Sequence, residues 1–458
     1  MPDGGTVRGL TAACLTASLM PLNSTMIAVA IPDIATEFGH SSSSVTQALV
    51  ATYLVAAIAL QSPGGKLGDR IGHWRVFSIG QALLAAGALL GYFAPDLVVL
   101  ACSRVLMASG GAIVVPATLA LLRLELPSER RGRAFGAFGA VMSLAAGIGP
   151  IVGGGLVGAF GWPSVFLVNL PVLAVSALLA ATARRPRDTK RAVATSFDWV
   201  GSVLLTAGLT ALVIGLQAKG SAGLVVVAVG VLVLVPFGWW ETRVPDPVIA
   251  FSLLRSSRFA AGTLVVALLN LVMYALLFEV PLLVHSLFAL GSEATGRLLI
   301  FMMLAMVATS LVAGRLVDAY GPRPVAVGGT LVCVAGTAML FVTDLHSSGD
   351  LRLPLIFLGL GIGLANPAAQ TASLTGVDRN RSGMAAGLGS SMRYLGGIAG
   401  VAILGRLLHL SGSRQTVIDA HHTVLAVFLG VLVVTLACAS LLGDRQRRPE
   451  EISEKALA

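Results

Sequence analysis

Gly65-Lys66-Leu67-Gly68-Asp69-Arg70-Ile71-Gly72 is a short hydrophilic phrase lying between two apolar runs. About 249 positions later stands Gly314-Arg315-Leu316-Val317-Asp318-Ala319-Tyr320-Gly321, again between two apolar runs. Both read G-x-L-x-D-x-x-G, and both are followed by an arginine, Arg75 and Arg323. An element repeated at this distance implies a chain built from two related halves, the plan of many secondary transporters.

The surrounding sequence is unusually apolar. Charged residues make up 12% and the AVILMFWYC set 56%, against roughly 25% and under about 50% in soluble domains. Mean hydropathy is +0.87, more than a soluble core of this length would need. A helix crosses the hydrocarbon layer in about 20 residues. Runs of that order lie at 8–31, 44–63, 76–94, 97–122, 134–158, 163–183, 199–217, 221–240, 259–285, 293–314, 324–343, 353–375, 383–408 and 421–442. The expected fold is therefore an all-α integral membrane protein with fourteen spans.

Lysine and arginine placement orients these spans. With both termini inside, the inner segments hold 24 of the 31, and the outer loops only Lys219, Arg352, Arg406 and Arg414. Arg104, Arg297 and Arg393 lie within spans. The net charge of +9 then reflects basic loops facing an anionic inner leaflet, and no nucleic-acid partner is needed. The implied location is the plasma membrane, crossed many times, with both termini cytoplasmic. The first run lacks a convincing small-residue cleavage site and reads as a retained helix. All four cysteines, Cys14, Cys102, Cys333 and Cys438, fall within spans. Neither disulfides nor a zinc site is indicated, and no cofactor or metal is expected.

The repeated phrase follows the second span of each half, so spans one to six and nine to fourteen form two six-helix bundles. Spans seven and eight are an added central pair. The corresponding divisions are 1–183, a linker-and-pair segment at 184–258, 259–442, and a cytoplasmic tail at 443–458. Oligomeric state is unreadable, and a monomer is compatible with everything above.

The repeated phrase has a physical logic. Gly65 and Gly72, with Gly314 and Gly321 in the second copy, permit turns and close backbone approach. Asp69 and Asp318 can accept from backbone N–H groups at a helix start, or pair with arginines such as Arg70, Arg75 and Arg323. Such a loop could latch helices on the inner face and release them during a conformational change. In the fifth span, Ala145, Gly149 and Gly153 put a small-residue stripe on one face beside Gly154, and Pro150 removes a backbone donor.

These motifs resemble those of the major facilitator superfamily. GKLGDRIG is similar to that superfamily's loop 2–3 signature, and AAGIGPIVGG to the fifth-helix signature of its drug:proton antiporters, with Ala145 where glycine is usual. Arg104-Val105-Leu106-Met107-Ala108-Ser109-Gly110-Gly111-Ala112 resembles the fourth-helix signature R-x-x-Q-G-x-G-x-A, with Met107 for glutamine and Ala108 for glycine. Gly161-Trp162, Phe166-Leu167-Val168-Asn169-Leu170-Pro171 and Ser391-Met392-Arg393-Tyr394-Leu395-Gly396-Gly397 resemble stretches of the fourteen-helix subfamily. The resemblance implies proton-driven export of small amphiphilic molecules, drugs or natural products, by alternating access. One departure stands out. The first-helix pattern L-D-x-T-I-V-N-V-A-L-P is replaced here by Leu22 to Pro32, with Asn23 where the acid would be and Ala28 for the asparagine.

Ionisable groups deep in a span face a cavity or a partner. Arg393 falls near the middle of the thirteenth span, with Arg104, Glu279 and Asn23 further outward on theirs. These four are the candidates for proton coupling and for the cavity wall, with Arg393 at its floor; for the arginines the alternative is bonding to backbone carbonyls. Glu279 is the acid lying deepest in a span, with Pro281-bent backbone or His285 as its alternative partner. Asn270, Asn366 and Gln370 are candidate substrate contacts, interhelical hydrogen bonding being the alternative. Uptake or facilitated diffusion without protons stays open because of Asn23. An enzyme would need clustered acids or histidines in the spans, and a channel a ring of symmetric subunits; neither pattern is present.

Overall fold

The computed structural model describes residues 4–40, 44–45, 47–183, 198–217, 220–245, 247–249, 251–288, 292–375, 377–378, 381–407 and 413–443. Among them all regular structure is helical, as lipid requires of a chain that does not close into a barrel. In chain order the long helices are α1 Gly4–Glu37, α2 Thr52–Ile71, α3 His73–Tyr92, α4 Leu97–Glu125, α5 Ser128–Phe160, α6 Asn169–Ala181, α7 Trp199–Gln217 and α8 Gly220–Glu241. They continue as α9 Ser257–Phe288, α10 Ser292–Tyr320, α11 Pro322–Val342, α12 Arg352–Leu374, α13 Ser382–Leu407 and α14 Arg414–Ser440. A short π-turn, Gln47–Ala51, leads into α2.

Twelve stretches among the described residues are long and apolar enough to cross a membrane. Of the expected fourteen, twelve are met on length and apolarity. The apolar part of α7, Trp199–Leu212, is shorter than a span needs. α13 opens on a run rich in glycine and serine and carries Arg393, which keeps it outside the apolar set. The linker from 184 and the tail from 444 lie outside the described residues.

The internal repeat extends beyond the opening phrase. α3 and α4 touch backbone to backbone at Gly80, where an added Cβ would stand 2.8 Å from the Gly110 carbonyl oxygen. α11 and α12 repeat this at Gly329, 2.8 Å from the Gly361 carbonyl oxygen. Gly87 and Gly336 form a second pair of close approaches at the same offset. Small residues at such crossings let dispersion act between backbones where the hydrophobic effect cannot. One core draws mainly on residues before 260, and the other lies wholly within 261–442. α7 and α8 pack as a hairpin through Gly208, Gly215 and Gly230. α8 leaves Leu224, Val225, Leu232 and Val235 exposed, a lipid-facing surface at the periphery.

Candidate functional site

Both copies of the phrase sit at one end of the bundle, and each reaches across to the other half. The Asp69 carboxylate accepts from the backbone N–H of Gly383 and of Met384, both at 2.7 Å. These donors lie in the first turn of α13, where N–H groups have no partner within the helix. The Asp318 carboxylate accepts from the N–H of Gly132 at 2.9 Å and of Arg133 at 3.2 Å, near the start of α5. His73 stands 3.4 Å from Asp69, and the Arg133 guanidinium 3.3 Å from Asp318. Four residues earlier in each copy, on the same helix face, Gly65 and Gly314 let the helices meet. A Cβ at Gly65 would collide with the Gly383 carbonyl, and one at Gly314 would stand 2.6 Å from that of Gly132. The last glycines, Gly72 and Gly321, have φ of 96° and 90° and turn the chain into α3 and α11.

The arginines of the phrase do not make these latches. Arg70 is half-buried, while Arg75 and Arg323 are exposed. Besides Arg133, an arginine that crosses between the halves at this end is Arg123 on α4, which donates to Val377 and Asp378 carbonyls and to the Ser382 hydroxyl.

The small stripe on α5 packs on α1. Added Cβ atoms at Gly149 and Gly153 would run into Thr25 and Met26, and Thr25 donates to the Ala146 carbonyl at 3.0 Å. Ala145 is buried, Gly154 lies at ordinary contact distance from Val29, and α5 runs unbroken through position 150.

Arg104 takes the backbone-bonding alternative. Its Nε donates to the Leu49 carbonyl and its Nη2 to that of Asn23, both at 3.2 Å, and its guanidinium lies over the Tyr53 ring, 4.1 Å from the centroid. Asn23 in turn forms a reciprocal amide pair with Asn169 on α6, at 2.6 and 3.1 Å. Arg104 and Asn23 are thus brought together within the first half, and Glu279 stands apart from them.

Glu279 lies on α9, fully buried, with its Oε1 2.7 Å from Nδ1 of His421 on α14. That partner is not Pro281-bent backbone, and the side chain of His285 lies outside the described residues. Arg393 is half-buried on α13; its Nε is buried without a hydrogen-bond partner, and Tyr274 and Tyr394 are its electrostatic neighbours. Asn270 donates to the Val266 carbonyl at 2.7 Å and to the Asn366 side chain at 3.3 Å. Gln370 lines a small cavity with Thr263, Ser373, Leu119 and Gly389.

Sequence reasoning missed His421, Asn169, Arg123 and Gln61. The last apolar run begins at 421, so His421 looked terminal, whereas α14 starts at Arg414 and places it about two turns inside. Asn169 was visible in the Phe166–Pro171 stretch without a stated role. Gln61 is fully buried on α2 with both amide atoms unpartnered, and nothing in its sequence context marks it.

Residues 13–401 match the family described as Major Facilitator Superfamily. The uncharacterized MFS-type transporter YvkA of Bacillus subtilis is 33% identical over 423 residues, covering 92% of each chain. The tetracenomycin C resistance and export protein of Streptomyces glaucescens is 29% identical over 410 residues, covering 87% of this chain and 75% of that one. Among solved structures, the human organic anion transporter MFSD10 superposes with a TM-score of 0.70 at 15% identity, over 96% of this chain and 100% of that one.

Proposed function

The chain belongs to the major facilitator superfamily, and from that premise we propose that it exports small amphiphilic molecules in exchange for protons by alternating access. It is a multi-pass membrane protein and a transporter rather than an enzyme. The observation that carries the reading is the reciprocal latch. Asp69 and Asp318 hold the two halves together at one end through bonds from one half to the other. Separating the halves there, while they close elsewhere, gives the rocking motion that alternating access needs. The direction of transport rests on relatives named for antibiotic resistance and export.

In this reading the latch end faces the cytoplasm with both termini, in the plasma membrane, as the inner lysines and arginines favour. α7 and α13 cross the bilayer as well, giving fourteen helices. The divisions at 183, 258 and 442 separate two bundles from the added α7–α8 pair, and the protein works as a monomer. Asn23, neutral and paired with Asn169, favours a second reading, proton-independent facilitated diffusion. Uptake of a panel of cationic, neutral and anionic dyes into inverted membrane vesicles separates the two. Proton-coupled export requires accumulation that collapses with the proton gradient, and equilibration without accumulation would establish diffusion.

A further inference from the structure

Two polar pairs occupy matching places in the two halves. α1 and α6 carry Asn23–Asn169, and their counterparts α9 and α14 carry Glu279–His421. Both pairs lie between the first and last helix of a bundle, away from the latch end: Asn23 is the twentieth residue of α1 and Glu279 the twenty-third of α9. The amide pair is saturated. Asn23 also donates to the Leu19 carbonyl at 2.7 Å, and Asn169 to those of Phe166 and Val165 at 2.9 and 3.3 Å.

The acid–imidazole pair is equally buried, with Glu279 at 0% and His421 at 2% exposure, but is only half satisfied. Among the described residues, Glu279 Oε2 and His421 Nε2 have no hydrogen-bond partner. A purely structural pair in this setting would lose stability through those two atoms, since buried polar groups without partners are costly.

We propose that Glu279 and His421 together form the proton-carrying site of transport, a role their asparagine counterparts in the first half cannot take. The inference rests on the proton-coupled reading above. With one proton shared between Oε1 and Nδ1 the pair is neutral overall, as GluH–His or as Glu⁻–HisH⁺. Removing that proton leaves a net −1, and adding another leaves a net +1. Net charge is expensive at this depth, so the closed pair holds one proton. When the bundles reorient and water reaches the pair, the proton leaves to that water and hydration stabilises the charge left behind. Reloading from water on the opposite side restores the neutral pair. No redox partner or leaving group is involved.

The ionisable surroundings fit a site with this freedom. His422 has its ring centroid 6.0 Å from that of His421 and is itself stacked on Phe341. Arg297, Arg352, Arg393, Arg414 and Asp419 stand on helices of the same bundle, and the partner given for either member of the pair among the described residues is the other member.

The test uses the full chain in lipid. Infrared difference spectroscopy should reveal a buried carboxyl that exchanges its proton during transport in wild type. Its band should vanish in Glu279→Gln and be altered in His421→Asn, which removes the imidazole partner. Glu279→Asp, which keeps a carboxyl, should retain such a band and confirm that the fold tolerates change at this position. A band that persists in Glu279→Gln, or a wild type with no proton-exchanging buried carboxyl, overturns the proposal. In proteoliposomes with Nile red as the neutral probe and fluorescein as the anionic one, gradient-driven transport should fall at least about tenfold in both variants while gradient-free exchange survives. If wild type is gradient-driven and both variants remain so, the pair is not the proton site and the proton-coupled reading stands. If wild type ignores the gradient, that reading fails first.

Discussion

Asp69 and Asp318, 249 positions apart, close one end of the bundle in opposite directions: Asp69 reaches from the first half to the start of α13, and Asp318 from the second half to the start of α5. Each carboxylate accepts two backbone N–H donors, those of Asp69 in the first turn of α13 and those of Asp318 one turn into α5, so each latch is charge-assisted. The acceptors sit in equivalent places of a duplicated phrase, and both latches cross between the same two halves.

Neutralising either latch should therefore favour the open end. Hydrogen bonds to a charged group contribute about 1.5–3 kcal/mol each, so Asp69→Asn should shift the opening equilibrium by tenfold or more, roughly. Gly389 is a suitable reporter position, since a Cβ there meets nothing within 4 Å. With the four native cysteines replaced, a cysteine at 389 should react faster with an impermeant maleimide in Asp69→Asn and in Asp318→Asn. Equal labelling rates in wild type and both variants would reduce the phrase to an ordinary basic turn.

The glycines offer a sharper contrast. Gly65→Ala places a methyl group against the Gly383 carbonyl, and both atoms belong to helix backbones that cannot yield separately. Transport should be lost although the protein reaches the membrane. Gly430→Ala, on α14 and in open space, should transport at close to the wild-type rate. Normal transport by Gly65→Ala would mean that the halves need not meet as closely as they do here.

Arg104 is expected to matter for stability first. Its guanidinium ties the irregular Gln47–Ala51 turn to α1 through two carbonyls and covers Tyr53. Arg104→Lys keeps the charge but loses the planar fork and the stacking. A cost of about 1–3 kcal/mol follows, read as a Tm several degrees lower for the detergent-solubilised protein. An unchanged Tm with impaired dye binding would instead make Arg104 a cavity residue.

The helical class, the duplicated halves and the latch were legible because each leaves a local signature: apolar runs of membrane length, a phrase repeated at fixed offset, glycine and aspartate four residues apart. The number of spans was less legible, because α13 trades apolar side chains for glycine and serine to reach α2 and α9. Pairings were hidden altogether. Arg104 and Glu279 were found as isolated charges, but their partners are backbone carbonyls and a histidine 142 positions away. Hydropathy locates a charge within a span without revealing which neighbour answers it.

Substrate charge can be argued from Arg393. Arg104 is spent on carbonyls and Tyr53 inside the first half, and Glu279 is paired with His421. Among the described residues Arg393 bonds to no carboxylate and its Nε is buried without a partner; its neighbours Tyr274 and Tyr394 offer hydroxyls rather than negative charge. It stands on α13 two residues from Ser391, which donates to the Ile58 carbonyl across the contact between the halves. A cation 4 Å from a like charge is opposed by about 4 kcal/mol at an effective dielectric constant near 20, more than most apolar contacts return. Neutral and anionic amphiphiles are therefore expected ahead of dications. Arg393→Gln should weaken binding of an anionic dye by about tenfold or more, while a neutral dye of similar size changes by no more than about threefold. Equal loss for both dyes would mark Arg393 as a structural residue, and strong native export of a bis-quaternary biocide would defeat the expected order of substrates.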